Sequence, residues 1–366
     1  MNLPLLNSRS RLMMFAPHPD DESLAAGVFL QRAVASGAAV RIVYATDGER
    51  NCWPQRLLER KVLIRDPDRI RWGARRQAES LAALRTLGIG REQVEFLSLP
   101  DQGVTDLLLA GCRETMRRLA DTITAWEPTH LLVPSMLDTH PDHSGLAVLL
   151  EVVCDDYLPP HSGMVRLQYL VHGASKTFAR RALDFPHSPR EMKTKQSAIV
   201  CHITQVALSR RRFLSYAKRP ERFLPADAKL PDAGDGPMRA FTRDRAALRL
   251  HVAFTLKPLR AEDTPLYLVG RDAVGRLRCL RAALPRRTAR IDLIDCATGA
   301  IASVGRYLGD AFRAEILLPT HGFAFSRSLF VKLDRRAWFF DEAGWLEVRA
   351  SIPEAAMRGA RALAAA

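Results

Sequence analysis

The sequence predicts an α/β fold over residues 1–226, with a Rossmann-like, mostly parallel sheet and helices on both faces. A small all-β, sandwich-like domain follows over 240–352. Three observations predict this. Short apolar runs alternate with helix-like stretches up to about residue 226, the pattern of consecutive strand–helix–strand units. LPADAKLPDAGDGPM (224–238) then holds three prolines and three acidic residues with no apolar period, and reads as a boundary. Beyond it, strand-like runs recur between turn signals.

Taken in order, RLMMFAP (11–17) is a strand that runs into an acid-rich turn. LAAGVFLQRAVASG (24–37) has helical spacing and stops at Gly37. AVRIVYAT (39–46) is a β-branched strand, and RRQAESLAALRTLG (75–88) is a helix closed by Gly88. VEFLSLP (94–100) reads as a strand, LLAGCRETMRRLADTITAW (108–126) as one helix, and THLLVPS (129–135) as a buried strand. In the second part, strands are expected at 248–256, 265–270, 289–295, 315–319, 329–334 and 344–350, as a sandwich or a barrel. The Ala-rich end, PEAAMRGARALAAA, reads as a short helix or a frayed tail.

Composition narrows the function. No apolar stretch approaches the ~18 residues of a membrane helix, and the first residues lack the basic region and cleavage site of a signal peptide. The six cysteines are scattered without a CxxC pair, which suits reduced thiols in the cytoplasm. The net charge of +14 divides as +7 on each side of Ala226 and forms no basic tail. Specific nucleic-acid binding is therefore not expected, and an anionic small molecule or glycan intermediate explains the sign equally well. Oligomeric state is not legible.

Parallel sheets bind ligands beyond the carboxyl ends of their strands. PHPDDE follows the first strand, TDGE the second, LPDQG the third and DTHPDH the fourth, so all four polar clusters fall at one edge. His18 and Asp21 are three apart, with Asp20 between them, while Asp138, His140, Asp142 and His143 arrive from another strand end. A catalytic zinc site needs about three N/O ligands and an open position, and two histidines with one carboxylate meet that need. The remaining acids and His140 then suit base and charge-stabilising roles. The plainer alternative is helix capping: Ser23 or Glu22 for the helix at 24–37, Asp138 and Asp142 for the one that follows DTHPDH.

PHPDDE, TDGE, RQAES, LPDQG, DTHPDH and KQSAIVCHITQ occur in an order that resembles the LmbE-like, or PIG-L, family of zinc-dependent N-acetylglucosamine de-N-acetylases. The resemblance covers roughly residues 11–225. It implies His18, Asp21 and His143 as ligands of Zn2+ (or another divalent ion) and Asp20 as general base. His140 would stabilise the oxyanion, with Asp142 holding it. Arg76 and Glu79 match an Arg-x-x-Glu pair facing the substrate region, and His202 and Gln205 a late His-x-x-Gln element. Arg76, Glu79, Asp138 and His202 are the expected substrate-binding residues. Pro17 is a mild departure from the family pattern, and the resemblance is silent on 240–352.

The expected substrate is a 2-acetamido sugar, anionic or linked to a lipid or nucleotide. The rivals are a deacylase of another N-acyl glycoside or antibiotic-type compound, and a sugar-binding protein without turnover. His130, His161, His172, His187, His251 and His321 have no acidic partner at ligand spacing and read as structural or surface residues. No GxSxG appears, so serine hydrolysis is not expected.

Overall fold

The structure, a computed structural model, describes residues 6–157, 163–226, 228, 236–254, 264–337 and 339–349. The chain forms two compact units: Met1–Leu108 with Cys112–Lys229, and Leu230–Ala366 with Leu109–Gly111. Most of the expected boundary segment, and the Ala-rich tail, lie outside the described residues.

The first unit runs β1 (Arg11–Ala16), α1 (Asp21–Ala35), β2 (Ala39–Thr46), α2 (Cys52–Glu59), α3 (Asp66–Thr86), β3 (Val94–Leu99), α4 (Val104–Leu109), α5 (Arg113–Trp126), β4 (His130–Pro134) and α6 (Pro141–Tyr157). It continues through β5 (Val165–Tyr169), α7 (Lys176–Arg181), β6 (Leu183–Phe185), α8 (Pro189–Cys201), α9 (Ile203–Ser215) and β7 (Glu221–Pro225). The sheet order is β3-β2-β1-β4-β5-β7-β6. β1 to β5 pair in parallel, and β7 runs antiparallel to both β5 and β6. The order reverses between β1 and β4, which makes their carboxyl ends the switch point where doubly wound sheets take ligands.

β1 is central, which is why its run is apolar on both faces. Leu12, Met14, Val40, Ile42 and Tyr44 pack with Phe29, Leu84 and Ile199 of α1, α3 and α8. Alternation turns the buried Met13 and Phe15 to the opposite face. α5 buries Met116, Leu119, Ala120 and Ile123, the spacing of one helical stripe. α8 starts on a capping box, with Ser188 and Glu191 exchanging backbone bonds around Pro189.

One expectation fails. The stretch 108–126 is two helices, because the chain turns at Gly111 (φ 61) and restarts behind Cys112. The Val104 amide at the head of α4 is held from outside by the Asp142 carboxylate at 3.1 Å, a tertiary contact that local periodicity does not encode.

The second unit runs β8 (Met238–Arg243), β9 (Ala247–Ala253), β10 (Pro265–Arg271), β11 (Leu277–Ala283), β12 (Ala289–Asp295), β13 (Ile301–Gly309) and β14 (Arg313–Pro319). β15 (Leu329–Leu333), β16 (Arg336–Ala337), β17 (Phe340–Asp341) and β18 (Leu346–Val348) complete it. Nine of these strands form one antiparallel sheet, ordered β18-β15-β10-β11-β12-β13-β14-β9-β8. Leu248, Leu250, Leu268, Leu280, Leu293 and Ile316 alternate onto its inner face. The sheet curls until its end strands approach, Arg243 Nη1 donating to the Val348 carbonyl at 3.4 Å. Of the sandwich and barrel alternatives, this sheet is nearly a barrel. All six cysteines are free, and Cys279 and Cys296 face each other across β11 and β12 with sulfurs 3.1 Å apart.

Candidate metal centre

His18, Asp20 and Asp21 leave the end of β1, and Asp138 to His143 leave the end of β4, so the two motifs meet at the switch point. Three donor atoms converge there. His18 Nδ1 lies 3.2 Å from His143 Nε2 and 3.4 Å from Asp21 Oδ2, and His143 Nε2 lies 3.2 Å from Asp21 Oδ2. The edges of a tetrahedron with zinc bonds of ~2.0–2.1 Å run about 3.3 Å. The three side chains are buried and already spaced as ligands. Wider donor groupings also occur: His18 with His140 and His143, Asp21 with His143 and His172, and His18 with Asp101 and Asp142.

Each ligand imidazole is held on its far side. His143 Nδ1 faces Asp138 Oδ2 at 3.1 Å. His18 Nε2 faces Asp101 Oδ1 and Asp142 Oδ2, each at 3.3 Å. Carboxylates in these positions fix ring orientation and raise ligand basicity. Burial works against charge on His18, but its hydrogen bonds to Asp101, Asp142 and Asp21 prevail and set its pKa well above the ordinary value. His143 is likewise penalised by burial, yet Asp21 and Asp138 raise it to about 9. Conversely, burial disfavours the Asp21 and Asp101 anions, but Asp21 is held well below the usual range, mainly by His143, and Asp101 at about 2, mainly by His18.

Asp20 is different. Burial pushes its carboxyl up to about 6, against the attraction of Arg76. Its side chain makes no cap bond to α1, although it occupies the N-cap position, and its backbone sits at φ 153. A residue kept in so uncommon a conformation marks a site held by its surroundings. Arg76 Nη2 approaches Asp20 Oδ2 at 3.3 Å and also binds the Pro19 carbonyl at 2.9 Å, while Nη1 binds the Gly48 carbonyl at 2.8 Å. Gly48 has φ +63, and any Cβ there would collide with the Arg76 guanidinium, so the TDGE turn needs its glycine.

The candidate residues sort as follows. His18, Asp20, Asp21, Asp138, His140, Asp142 and His143 meet in one cluster. Asp142 reaches His140 through its backbone amide, which donates to Nδ1 at 3.2 Å, while its carboxylate serves His18 and the amides of Gln102 (2.6 Å) and Val104. That bond fixes the His140 proton on Nε2. Burial, with the charges of His18 and His143, holds the His140 pKa well below normal, which favours a neutral donor.

The four expected substrate-binding residues are buried and engaged with protein. Arg76 holds Asp20, and Asp138 orients His143 while accepting from the amides of His140, Val171 and His172. Glu79 accepts from the Thr204 amide at 3.0 Å and its hydroxyl at 2.6 Å, which fastens the start of α9. His202 Nε2 meets Glu22 Oε1 at 3.0 Å, and Glu22 reaches back to the Asp20 amide at 3.1 Å. Glu22, not Ser23, is thus the side chain that satisfies the entrance of α1.

Two site residues were not assigned from sequence. Asp101 lay in a turn already placed at the right edge. His172, read as structural or surface, is half-buried, with its ring 4.8 Å from His143 and 5.4 Å from His140, and burial lowers its pKa to about 4. It follows β5, a strand at the same edge, and the HG after VRLQYLV was the signal for it.

A family model described as PIG-L, GlcNAc-PI de-N-acetylase, matches residues 13–154. No curated protein matches the chain. Among solved structures, N,N'-diacetylchitobiose deacetylase from Pyrococcus horikoshii is similar at 19% identity, over 59% of this chain and 83% of that one, with a TM-score of 0.46. A deacetylase triple mutant from the teicoplanin biosynthetic pathway is similar at 15% identity, over 60% of this chain and 100% of that one, with a TM-score of 0.45. GalB, the 4-carboxy-2-hydroxymuconate hydratase of Pseudomonas putida, is similar at 19% identity, over 60% and 98%, with a TM-score of 0.47. The match over residues 13–154 to the PIG-L, GlcNAc-PI de-N-acetylase model thus spans both His/Asp turns that the fold brings together at one switch point.

Proposed function

We propose that the first unit hydrolyses the N-acetyl group of a 2-acetamido sugar, with zinc as the bound ion, to release acetate and a free amine. The observation that carries this is the triangle of His18, Asp21 and His143 donors with Asp20 beside it, buried, near pH-neutral in pKa and not used as a helix cap. Bound at these atoms, a zinc ion supplies Lewis acidity and a lowered water pKa. Asp20, steadied by Arg76, removes a proton from the attacking water and returns it to the departing nitrogen. His140, its Nε2–H fixed by the Asp142 amide, donates to the oxygen on which negative charge develops. Asp138, Asp101 and Asp142 hold the ligand imidazoles against rotation.

Six free thiols support a reducing compartment such as the cytoplasm. Among the described residues no helix is long and apolar enough to cross a membrane. The test is acetate release from a panel of N-acetylhexosamine compounds by zinc-reconstituted protein, with Asp20→Asn as control. Release that depends on Asp20 is expected. Stoichiometric zinc without release from any member would transfer the site to another N-acyl substrate or to binding alone.

A further inference from the structure

Outside the metal centre, large apolar side chains gather on the surface where α2, the 60–65 turn, the first turn of α3 and the start of α9 lie together. Val62 is 88% exposed, Ile70 73%, Leu63 66%, Leu57 54%, Ile203 53% and Trp53 51%. These belong to one surface: α2 packs on α9, and α3 is tied to α2 by Arg71 to Glu59 at 2.7 Å and by Gln55 to the Asp68 carbonyl at 2.8 Å. Single exposed apolar residues are ordinary, but six on neighbouring elements point to an interaction site.

Charge gathers at the same place. Residues 52–75 and 203–215 together hold ten basic and three acidic residues, and the rest of 1–226 sums to zero. The +7 of residues 1–226 is thus carried, net, by these two segments. All three acids are already paired within it, Asp66 with Arg69, Asp68 with Lys61 and Arg71, and Glu59 with Arg71. Arg56, Arg60, Arg65 and Arg210 to Arg212 are in excess. The turn itself reads RKVLIR, an apolar tip between cations, where Arg60 bends the chain at φ 52.

We infer that this surface docks on an anionic phospholipid bilayer, with Val62 and Leu63 entering the acyl boundary and the arginines at phosphate level. Such a pairing of apolar tip and basic rim is what interfacial binding requires. A second copy would oppose one +7 surface to another. Single-stranded nucleic acid would match the charge but offers its bases for stacking, and of the six exposed side chains only Trp53 is aromatic. The surface begins at the wall of the metal centre, since α2 starts two residues after Arg50, whose amide Asp101 holds at 2.6 Å. The inference stands without the catalytic reading, because vesicle binding needs no turnover.

The test is co-sedimentation of the full chain with vesicles of phosphatidylcholine alone, or doped with phosphatidylglycerol, at physiological salt. Partition onto the doped vesicles alone is expected. Val62→Asp with Leu63→Asp should lower it at least about tenfold, given the apolar area removed, while Ile301→Asp, a control at another exposed site, leaves it unchanged. Equal melting temperatures of the variants confirm that the fold is intact. Absence of partition, equal partition of the Val62/Leu63 variant, or equal loss with Ile301→Asp would overturn the assignment. Concentration-dependent self-association that disappears in the Val62/Leu63 variant would overturn it in favour of a second copy.

Discussion

At the scale of single residues, the two carboxylates that leave β1 have opposite tasks because their surroundings differ. Asp21 sits among imidazoles and stays ionised, whereas Asp20 is desolvated and titrates near 6. Asp20→Asn should reduce kcat ~10²–10⁴-fold with zinc content unchanged by metal analysis. The ionised base is needed, so wild-type activity should fall with acid through an inflection at or below pH 6, because a bound cation favours the anion further. That inflection should disappear in the residual activity of the variant. A neutral His140 sets no basic limb, so His140→Ala should cost ~10²–10³-fold at every pH. His143→Ala should empty the site, and Asp138→Asn should weaken metal affinity about 10–100-fold, as read by competition with a chelating dye. Asp21 and Asp138 raise the His143 pKa to about 9 against its burial, so loading should release protons, measured by calorimetry in buffers of different ionisation enthalpy. The residues that meet in the cluster were legible because they lie in two short motifs, with His18 and Asp21 three apart and Asp138 to His143 within six residues. The partners of Arg76, Glu79, Asp138 and His202 were not legible, because they lie far away in sequence, Thr204 for Glu79 and Glu22 for His202.

At the scale of elements, α1 carries the site and is braced from far along the chain. Glu221 accepts from the amides of Val28 and Phe29 at 2.7 and 2.8 Å, and Lys195 Nζ meets the same carboxylate at 2.7 Å. Both side chains of this pair are about 1% exposed. Lys195→Met should therefore destabilise the first unit by ~3–5 kcal/mol, read as a lower denaturation midpoint, and a loss within ±0.5 kcal/mol would show the pair to be idle. The strands β1 to β4 were legible as apolar runs bounded by turns. β5 and β7 were not, since RLQY and ERFL mix charge with apolar residues at the antiparallel side of the sheet. In the second unit β11 and β13 were missed for the same reason, with Arg278, Arg281 and Arg306 interrupting the pattern.

At the scale of the whole molecule, every residue of the metal centre belongs to the first unit. We place the boundary near 227–240 on the change in composition, and the β unit from there to about 352 remains an accessory domain whose role is open. Protease cleavage within 226–240 should give two pieces that unfold separately, with zinc following the first. A single transition of the cut protein would count against the boundary. The bracing of α1 has a temporal side. The ligands at 18, 21 and 143 are synthesised long before Glu221, which lies 193 residues beyond the amide it receives. His202, which steadies Glu22, comes 180 residues after its partner. A nascent chain that has just completed α6 holds all three donors but lacks the braces of the helix that begins at one of them, Asp21. The order in which the chain is made is the reverse of the order in which its metal centre depends on it.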